Sequence, residues 1–315
     1  MQAKDFETDV YNDWCAGCGD YGILRALEIA FENLGLAKDR VAVFGGIGCS
    51  GKTPYYLDVN GIHTLHGRLL PFATGAKLAN PELTVIAVGG DGDGLGIGAG
   101  HFVNAGRRNL DLTYLLYNNE VYGLTKGQAA PTIRRGEKTK AMAKASIQSH
   151  INPIMLALTS GYTWIGRGYA YDLHQLSKLI ESAIGHKGSA FLEILQPCPV
   201  YNDLHDKAWY EKSEFSHQPR LYSLSDEGYD PCIPPEAKDR VRDDKFLQCV
   251  NKAHEWGERI PLGLFYHDLS AVELTQQLNQ QQPCYFDLPP ARLPVLDGHS
   301  RYEIDMQSLL KSFVI

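Results

Sequence analysis

Between residues 21 and 195 the hydrophobic positions alternate between a helical and an extended period. Over Tyr21–Leu36 (YGILRALEIAFENLGL), Leu24, Leu27, Phe31 and Leu34 recur at helical spacing and Gly35 supplies a stop, which predicts an amphipathic helix. Four short runs rich in β-branched and aromatic residues, Arg40–Phe44, Leu83–Val88, Leu112–Tyr117 and Ala190–Leu195, are each closely followed by Gly, Asn or Pro and read as buried parallel strands. Helical stretches lie between them at His66–Asn80, Gly98–Arg108, Pro153–Ser160 and Asp172–Ile184, the last with Asp172 as N-cap.

This alternation predicts an α/β fold built on a doubly wound, mostly parallel sheet, with ligands bound beyond the C-terminal ends of its strands. From about Tyr201 the pattern weakens and Pro, Gln and charged residues rise. Residues 1–200 are therefore expected to form the α/β domain. Residues 201–315 are expected to be a C-terminal extension without an independent fold, packed on that domain or on a partner.

Composition narrows the function. The 315 residues are 44% hydrophobic, enough to fill a core, and a net charge of −7 without any Lys/Arg-rich run argues against nucleic acid as a ligand. No apolar stretch is long enough to span a bilayer. The segment MQAKDFETDVYNDW has neither the basic start nor the apolar run of a signal peptide, so a cytoplasmic protein away from membranes is expected. Seven irregularly spaced cysteines fit metal ligands plus buried thiols in a reducing compartment better than a disulfide framework.

Two stretches carry candidate chemistry. The strand ending at Val88 runs into Gly89-Gly90-Asp91-Gly92-Asp93-Gly94, where glycines let backbone approach phosphate oxygens and a following helix offers free N–H donors. Asp91 is placed to ligate magnesium, with the Asn119 amide oxygen and the Val121 carbonyl from the end of the next strand completing the protein's share of the shell. This Gly-Asp-Gly followed by Asn-Asn across one βαβ unit resembles the thiamine diphosphate motif. Residues 46–53 (GIGCSGKT) also satisfy the pattern of a nucleotide-binding P-loop, but Pro54 and the turn residues through Gly61 interrupt the long helix such a loop must open.

The second stretch is a set of cysteines: Cys15 and Cys18 before the first helix, Cys49 after the first strand and Cys198 after the last, expected to crowd one edge of the sheet. Four thiolates suit either an iron–sulfur cluster or zinc, and the helix N-terminus is expected to favour the thiolate form of Cys18.

Taken together, WCAGCG, GIGCSGK, LHGR, FATGAKLANP, GGDGD, YNNEVYGLTKGQ, HKG and QPCPVYN occur in the order found in the β subunits of 2-oxoacid:ferredoxin oxidoreductases, and residues 1–202 resemble that family. The resemblance implies one [4Fe–4S] cluster on Cys15, Cys18, Cys49 and Cys198, magnesium on Asp91, Asn119 and the Val121 carbonyl, and thiamine diphosphate along Ile47, Gly48, Cys49, Ser50, His66, Gly90, Asp91, Gly92, Asp93, Asn119, Val121, Gly123 and Leu124. It implies oxidative decarboxylation of a 2-oxoacid, the acyl group passing to coenzyme A and the electrons to ferredoxin. Lys52 and Lys126 are the expected substrate-side catalytic residues, and LTKGQ inclines the substrate toward 2-oxoglutarate.

The chain holds one α/β domain, so an α subunit is expected to supply the pyrimidine-binding domain and its catalytic glutamate, in a heterodimer or a dimer of heterodimers. No ferredoxin-type C-x-x-C-x-x-C run is present, so a single cluster is expected, with ferredoxin docking near Cys15 and Cys18. The rival readings are a non-oxidative thiamine-dependent decarboxylase or lyase subunit with a structural metal, and a zinc-stabilised scaffold.

Overall fold

The computed structural model of the chain describes residues 1–294 and Lys311. Its strands are β1 (Val41–Gly45), β2 (Asn60–His63), β3 (Thr84–Gly90), β4 (Leu112–Asn118), β5 (Val121–Tyr122), β6 (Gln128–Ala129), β7 (Trp164–Tyr169), β8 (Ser189–Leu195), β9 (Leu221–Ser223), β10 (Cys232–Ile233) and β11 (Ile260–Asp268). The α-helices are α1 (Asp20–Asn33), α2 (Leu69–Ala79), α3 (Ala99–Arg108), α4 (Pro153–Ser160), α5 (Leu173–Gly185), α6 (Lys207–Glu211), α7 (Asp239–Ala253) and α8 (Leu274–Gln281).

The central sheet runs β10-β11-β7-β8-β4-β3-β1-β2, with β9 also pairing β11. Strands β7, β8, β4, β3, β1 and β2 are mutually parallel, and β11 enters antiparallel beside β7. β4 and β8 are buried along their whole length, as their unbroken apolar runs require. Two cores flank the sheet. Phe31, Leu27 and Ile23 of α1 join Ile180 and Leu176 of α5 on one face, while Phe102, Leu70, Ile154 and Phe265 pack on the other. This is the doubly wound, mostly parallel arrangement that the alternating pattern predicts.

Several details differ from the sequence reading. The buried stripe of α1 is Ile23, Ala26, Leu27, Ala30 and Phe31; Leu34 lies past the helix as its C-cap and is exposed, because Gly35 takes a left-handed φ of +62° there. β7 (WIGRGY) went unpredicted because Arg167 and two glycines mimic a surface turn. Inside the sheet, however, Arg167 Nε donates to Glu193 of β8 at 2.7 Å and its guanidinium lies over Phe265. Within 201–294, β11 adds a strand to the central sheet and α7 packs against it. The rest of the expected extension, apart from Lys311, lies outside the described residues.

Candidate active site

The ends of β1, β3 and β4 open into a cleft with about 570 Å³ of empty space. Parallel pairing sets Gly90 beside Tyr117, so Asp91 and the Asn118-Asn119 pair emerge next to each other. Thirteen predicted positions line this cleft: Ile47, Gly48, Cys49, Ser50, His66, Gly90, Asp91, Gly92, Asp93, Asn119, Val121, Gly123 and Leu124. Tyr117, Tyr122 and Thr125 complete it and were not anticipated.

The helix after β3 begins earlier than the sequence indicates. Gly92–Ile97 forms a π-helical turn directly after Asp91, and α3 continues from Ala99. Glycine is required in this turn by contact. A Cβ on Gly92 would come within 2.3 Å of the Tyr122 ring, and one on Gly94 within 1.8 Å of the Tyr114 hydroxyl. A wide turn with bare backbone of this kind can receive a small anion on its main-chain N–H groups.

Asp91 is fully buried at the head of this turn, and burial pushes its carboxyl up to about 7, against a hydrogen bond from Thr132 and with repulsion from Glu120. The same Thr132 hydroxyl lies 2.8 Å from Asn118 Oδ1, and Asn118 Nδ2 donates to Glu193 at 2.7 Å. A polar chain thus runs under the cleft from Asp91 to the buried Arg167–Glu193 pair. Asp93 turns toward the neighbouring loops: its Oδ1 accepts from His66 Nδ1 (2.7 Å), Gly67 N–H (2.7 Å) and Ile47 N–H (3.1 Å). Because a carboxylate only accepts, His66 carries its proton on Nδ1. Asp93 Oδ2 is buried without a partner.

The turn that presents Asn119 and Val121 is held from outside. Glu120, between them, adopts a left-handed φ of +65°, and its carboxylate accepts from His205 Nδ1 and, at 3.1 Å, from Asn202 Nδ2. Burial would depress the His205 pKa, but Glu120 and Glu137 raise it above the ordinary value, so the imidazole and carboxylate form a buried ion pair. Among the described residues Glu120, Glu137 and His205 are the set of three metal-ligating side chains whose donor atoms lie within 4.8 Å of one another. That spacing is already explained by the ion pair. None of these three residues, nor Asn202, was singled out from sequence, although Glu120 stands inside YNNEVYG.

Cys49 and Cys198 follow the C-terminal ends of β1 and β8, which β3 and β4 separate, so the cysteines approach one another in front of the middle of the sheet and not at an edge as expected. Cys198 lies close enough to Cys18 and Cys49 to raise the pKa of each, Cys15 acts on Cys49, and none is in a disulfide. Trp14 Nε1 donates to the Cys49 carbonyl at 2.8 Å and packs with Cys18 and Tyr56. The expected dipole activation of Cys18 is overridden: burial, and next the adjacent Asp20, drive its pKa far up, and Cys49 is raised to about 12. Burial thus favours the neutral thiols of Cys18 and Cys49, which disfavours thiol–disulfide chemistry at these two positions. Asp20 itself is wholly buried with neither oxygen partnered, and burial raises it to about 7.

The two lysines lie outside the cleft lining. Lys52 sits on a short 3-10 turn, Ser50–Tyr55, containing Pro54, and its Nζ is held 2.9 Å from both carboxylate oxygens of Asp13. Its expected substrate-side position thus gives way to an ion pair. The short turn also removes the P-loop reading. Lys126 is exposed, at φ +78°, at the tip between β5 and β6.

Comparison with known proteins agrees with this geometry. Residues 46–194 match the family "Thiamine pyrophosphate enzyme, C-terminal TPP binding domain", and residues 198–282 match the family of the C-terminal region of the pyruvate ferredoxin oxidoreductase beta subunit. The chain is 50% identical over 304 residues, 96% of each chain, to the 2-oxoacid:ferredoxin oxidoreductase subunit beta of Saccharolobus solfataricus. It is 45% identical over 203 residues, 64% of this chain and 54% of the relative, to the 2-oxoglutarate oxidoreductase subunit KorB of Mycobacterium tuberculosis. A solved 2-oxoglutarate:ferredoxin oxidoreductase from Magnetococcus marinus, with 2-oxoglutarate, coenzyme A and succinyl-CoA bound, superposes with a TM-score of 0.79 at 30% identity, covering 100% of this chain and 97% of that one. An identity of this extent over 96% of the chain means that it belongs to the β subunits of the 2-oxoacid:ferredoxin oxidoreductases.

Proposed function

We propose that this subunit, joined to an α subunit in a heterodimer or a dimer of heterodimers in the cytoplasm, carries out the coenzyme A-dependent oxidative decarboxylation of a 2-oxoacid, with 2-oxoglutarate preferred. Thiamine diphosphate supplies the electron sink for decarboxylation, and a [4Fe–4S] cluster passes the electrons to ferredoxin. Residues 1–200 carry both sites, and residues 201–315 pack on them or on the partner.

The observation that carries this reading is the meeting of two donor sets at one end of the sheet: a glycine-lined cleft with oxygen donors, and four cysteines, with Cys49 belonging to both. Asp91, the Asn119 amide oxygen and the Val121 carbonyl are hard donors of the type magnesium takes, and a divalent cation offsets the burial that raises Asp91. The π-helical turn at Gly92 receives the diphosphate. Asp93, held to Ile47, His66 and Gly67, fixes the two loops that wall the cofactor.

Cys15, Cys18, Cys49 and Cys198 bind the cluster. Four thiolates suit zinc as well, but oxidation of a thiamine adduct needs an electron acceptor nearby and zinc has no redox chemistry, which favours the iron–sulfur core. Lys126, exposed beside the cleft, meets the distal carboxylate of the substrate; Lys52 acts through its pairing with Asp13 on the Cys49 loop. The α subunit brings the catalytic glutamate. The preference for 2-oxoglutarate is supported by relatives named for that substrate.

The test is anaerobic co-production with the α subunit, analysis for iron and thiamine diphosphate, and ferredoxin reduction with a panel of 2-oxoacids and coenzyme A. Reduction fastest with 2-oxoglutarate is expected. A preference for pyruvate overturns the substrate assignment, and carbon dioxide release without ferredoxin reduction supports the non-oxidative lyase instead.

A further inference from the structure

One side chain touches both halves of the site. Gln196 follows β8, is 1% exposed, and its backbone N–H donates to the Asn118 carbonyl at 2.9 Å, which fixes it against the end of β4. Its Oε1 accepts from Asn119 Nδ2 at 2.8 Å. Its Nε2 donates to the Pro197 carbonyl at 3.0 Å and stands 3.3 Å from Cys18 Sγ. The neighbours dictate this amide orientation, because a flipped amide would set oxygen against the Pro197 carbonyl and NH2 against NH2 of Asn119. Space is reserved for it as well: a Cβ on Gly19 would lie 3.0 Å from Gln196 Cγ.

We propose that Gln196 is a positioning residue that joins the two metal sites, donating an N–H to the Cys18 sulfur while turning the Asn119 amide so that its oxygen faces the magnesium. An N–H directed at a ligating sulfur stabilises the negative charge added on reduction and so raises the cluster's potential. Engaging Asn119 Nδ2 leaves Asn119 Oδ1, which also accepts from Val121 N–H at 3.1 Å, as the only oxygen that side chain can offer a cation. Electron acceptance and cofactor placement are thereby set by one amide. The inference rests on the proposed roles of Cys18 as cluster ligand and Asn119 as magnesium ligand.

The test uses the anaerobically purified complex with its α subunit, comparing wild type, Gln196→Met and Gln196→Glu. Two quantities are read: the cluster midpoint potential by EPR-monitored redox titration, and the magnesium concentration that half-saturates thiamine diphosphate binding. Gln196→Met keeps length and volume but removes both contacts. It is expected to shift the reduction equilibrium about tenfold toward the oxidised cluster, about 59 mV more negative for a one-electron couple, and to raise the magnesium requirement about tenfold. Gln196→Glu, assayed where the carboxylate is ionised, keeps the acceptor for Asn119 and loses the donor to Cys18, so the potential falls while the magnesium requirement stays near wild type.

A wild-type potential and magnesium requirement in either variant with full iron content overturns the proposal. Failure of the underlying reading is visible separately. A Cys18→Ser complex with undiminished iron, or an Asp91→Asn complex with unchanged magnesium dependence, removes the ligand assignments themselves.

Discussion

The side-chain amide of Asn202 donates to the backbone carbonyl of Asn119 at 3.0 Å and to the carboxylate of Glu120 at 3.1 Å, so a residue four places after Cys198 straps the turn that carries the proposed magnesium ligands. The strap holds Glu120 in a left-handed conformation that costs a non-glycine residue about 1 kcal/mol.

Releasing that strap is predicted to weaken cofactor binding. Asn202→Ala or His205→Gln lets Glu120 relax and shifts Asn119 and Val121, and the affinity for thiamine diphosphate with magnesium is expected to fall about 10- to 100-fold. Iron content stays the same, because no cysteine contact is lost. Calorimetric titration of the cluster-loaded complex, beside iron analysis, reads both quantities.

The glycine turn predicts a sharp contrast between two alanine substitutions. Gly94→Ala drives a methyl group into the buried Tyr114 hydroxyl and is expected to cost about 1–3 kcal/mol of stability. Gly75→Ala, on the exposed side of α2 with nothing near its would-be Cβ, is expected to stabilise by about 0.5–1 kcal/mol. Denaturant midpoints at constant slope distinguish the two.

The buried pair of Arg167 and Glu193 predicts an asymmetric response. Arg167→Met leaves Glu193 charged in the sheet interior and is expected to cost about 3–5 kcal/mol. Glu193→Gln keeps an acceptor for Asn118 but strands the guanidinium, so it too destabilises. Replacing both residues with apolar ones of similar volume recovers most of the loss, which a double-mutant cycle by chemical denaturation measures.

Acid sensitivity follows from His186. Burial first, and then the neighbouring His267, depress its pKa to about 4, while Nε2 lies 2.7 Å from the Thr163 hydroxyl. Folding favours the neutral ring, so this contribution is complete above the unfolded value of about 6.5 and is lost as pH falls from there toward 4. Thermal midpoints measured from pH 7 to pH 4 are expected to drop more steeply in wild type than in His186→Gln.

Four of the parallel strands, their flanking helices and the glycine turn were legible because they are written in local signals: apolar runs, an Asp172 cap that accepts from Gln175 N–H at 3.0 Å, and glycines before an aspartate. What escaped was non-local. Arg167 reads as surface until Glu193, 26 residues later, neutralises it; β11 (IPLGLFYHD) carries a proline and a glycine and finds its place only through pairing with β7. Gln196 and Asn202, the first and last residues of QPCPVYN, and His205 just beyond it give no local sign of their roles, since each acts through partners more than 70 residues away. Lys52 shows the converse: its surroundings resemble a phosphate loop, yet Asp13, far back along the chain, claims its charge.

The antiparallel seat of β11 has a consequence for biosynthesis. A nascent chain that has emerged only as far as Leu195 already contains every proposed cluster ligand but Cys198, yet β7 still lacks its outer neighbour and its unpaired N–H and C=O groups stand open to other chains. Ile260–Asp268 must leave the ribosome before that flank is sealed. A chain cut before this strand therefore leaves the β7 flank of the sheet as an open edge, a template for pairing with other chains.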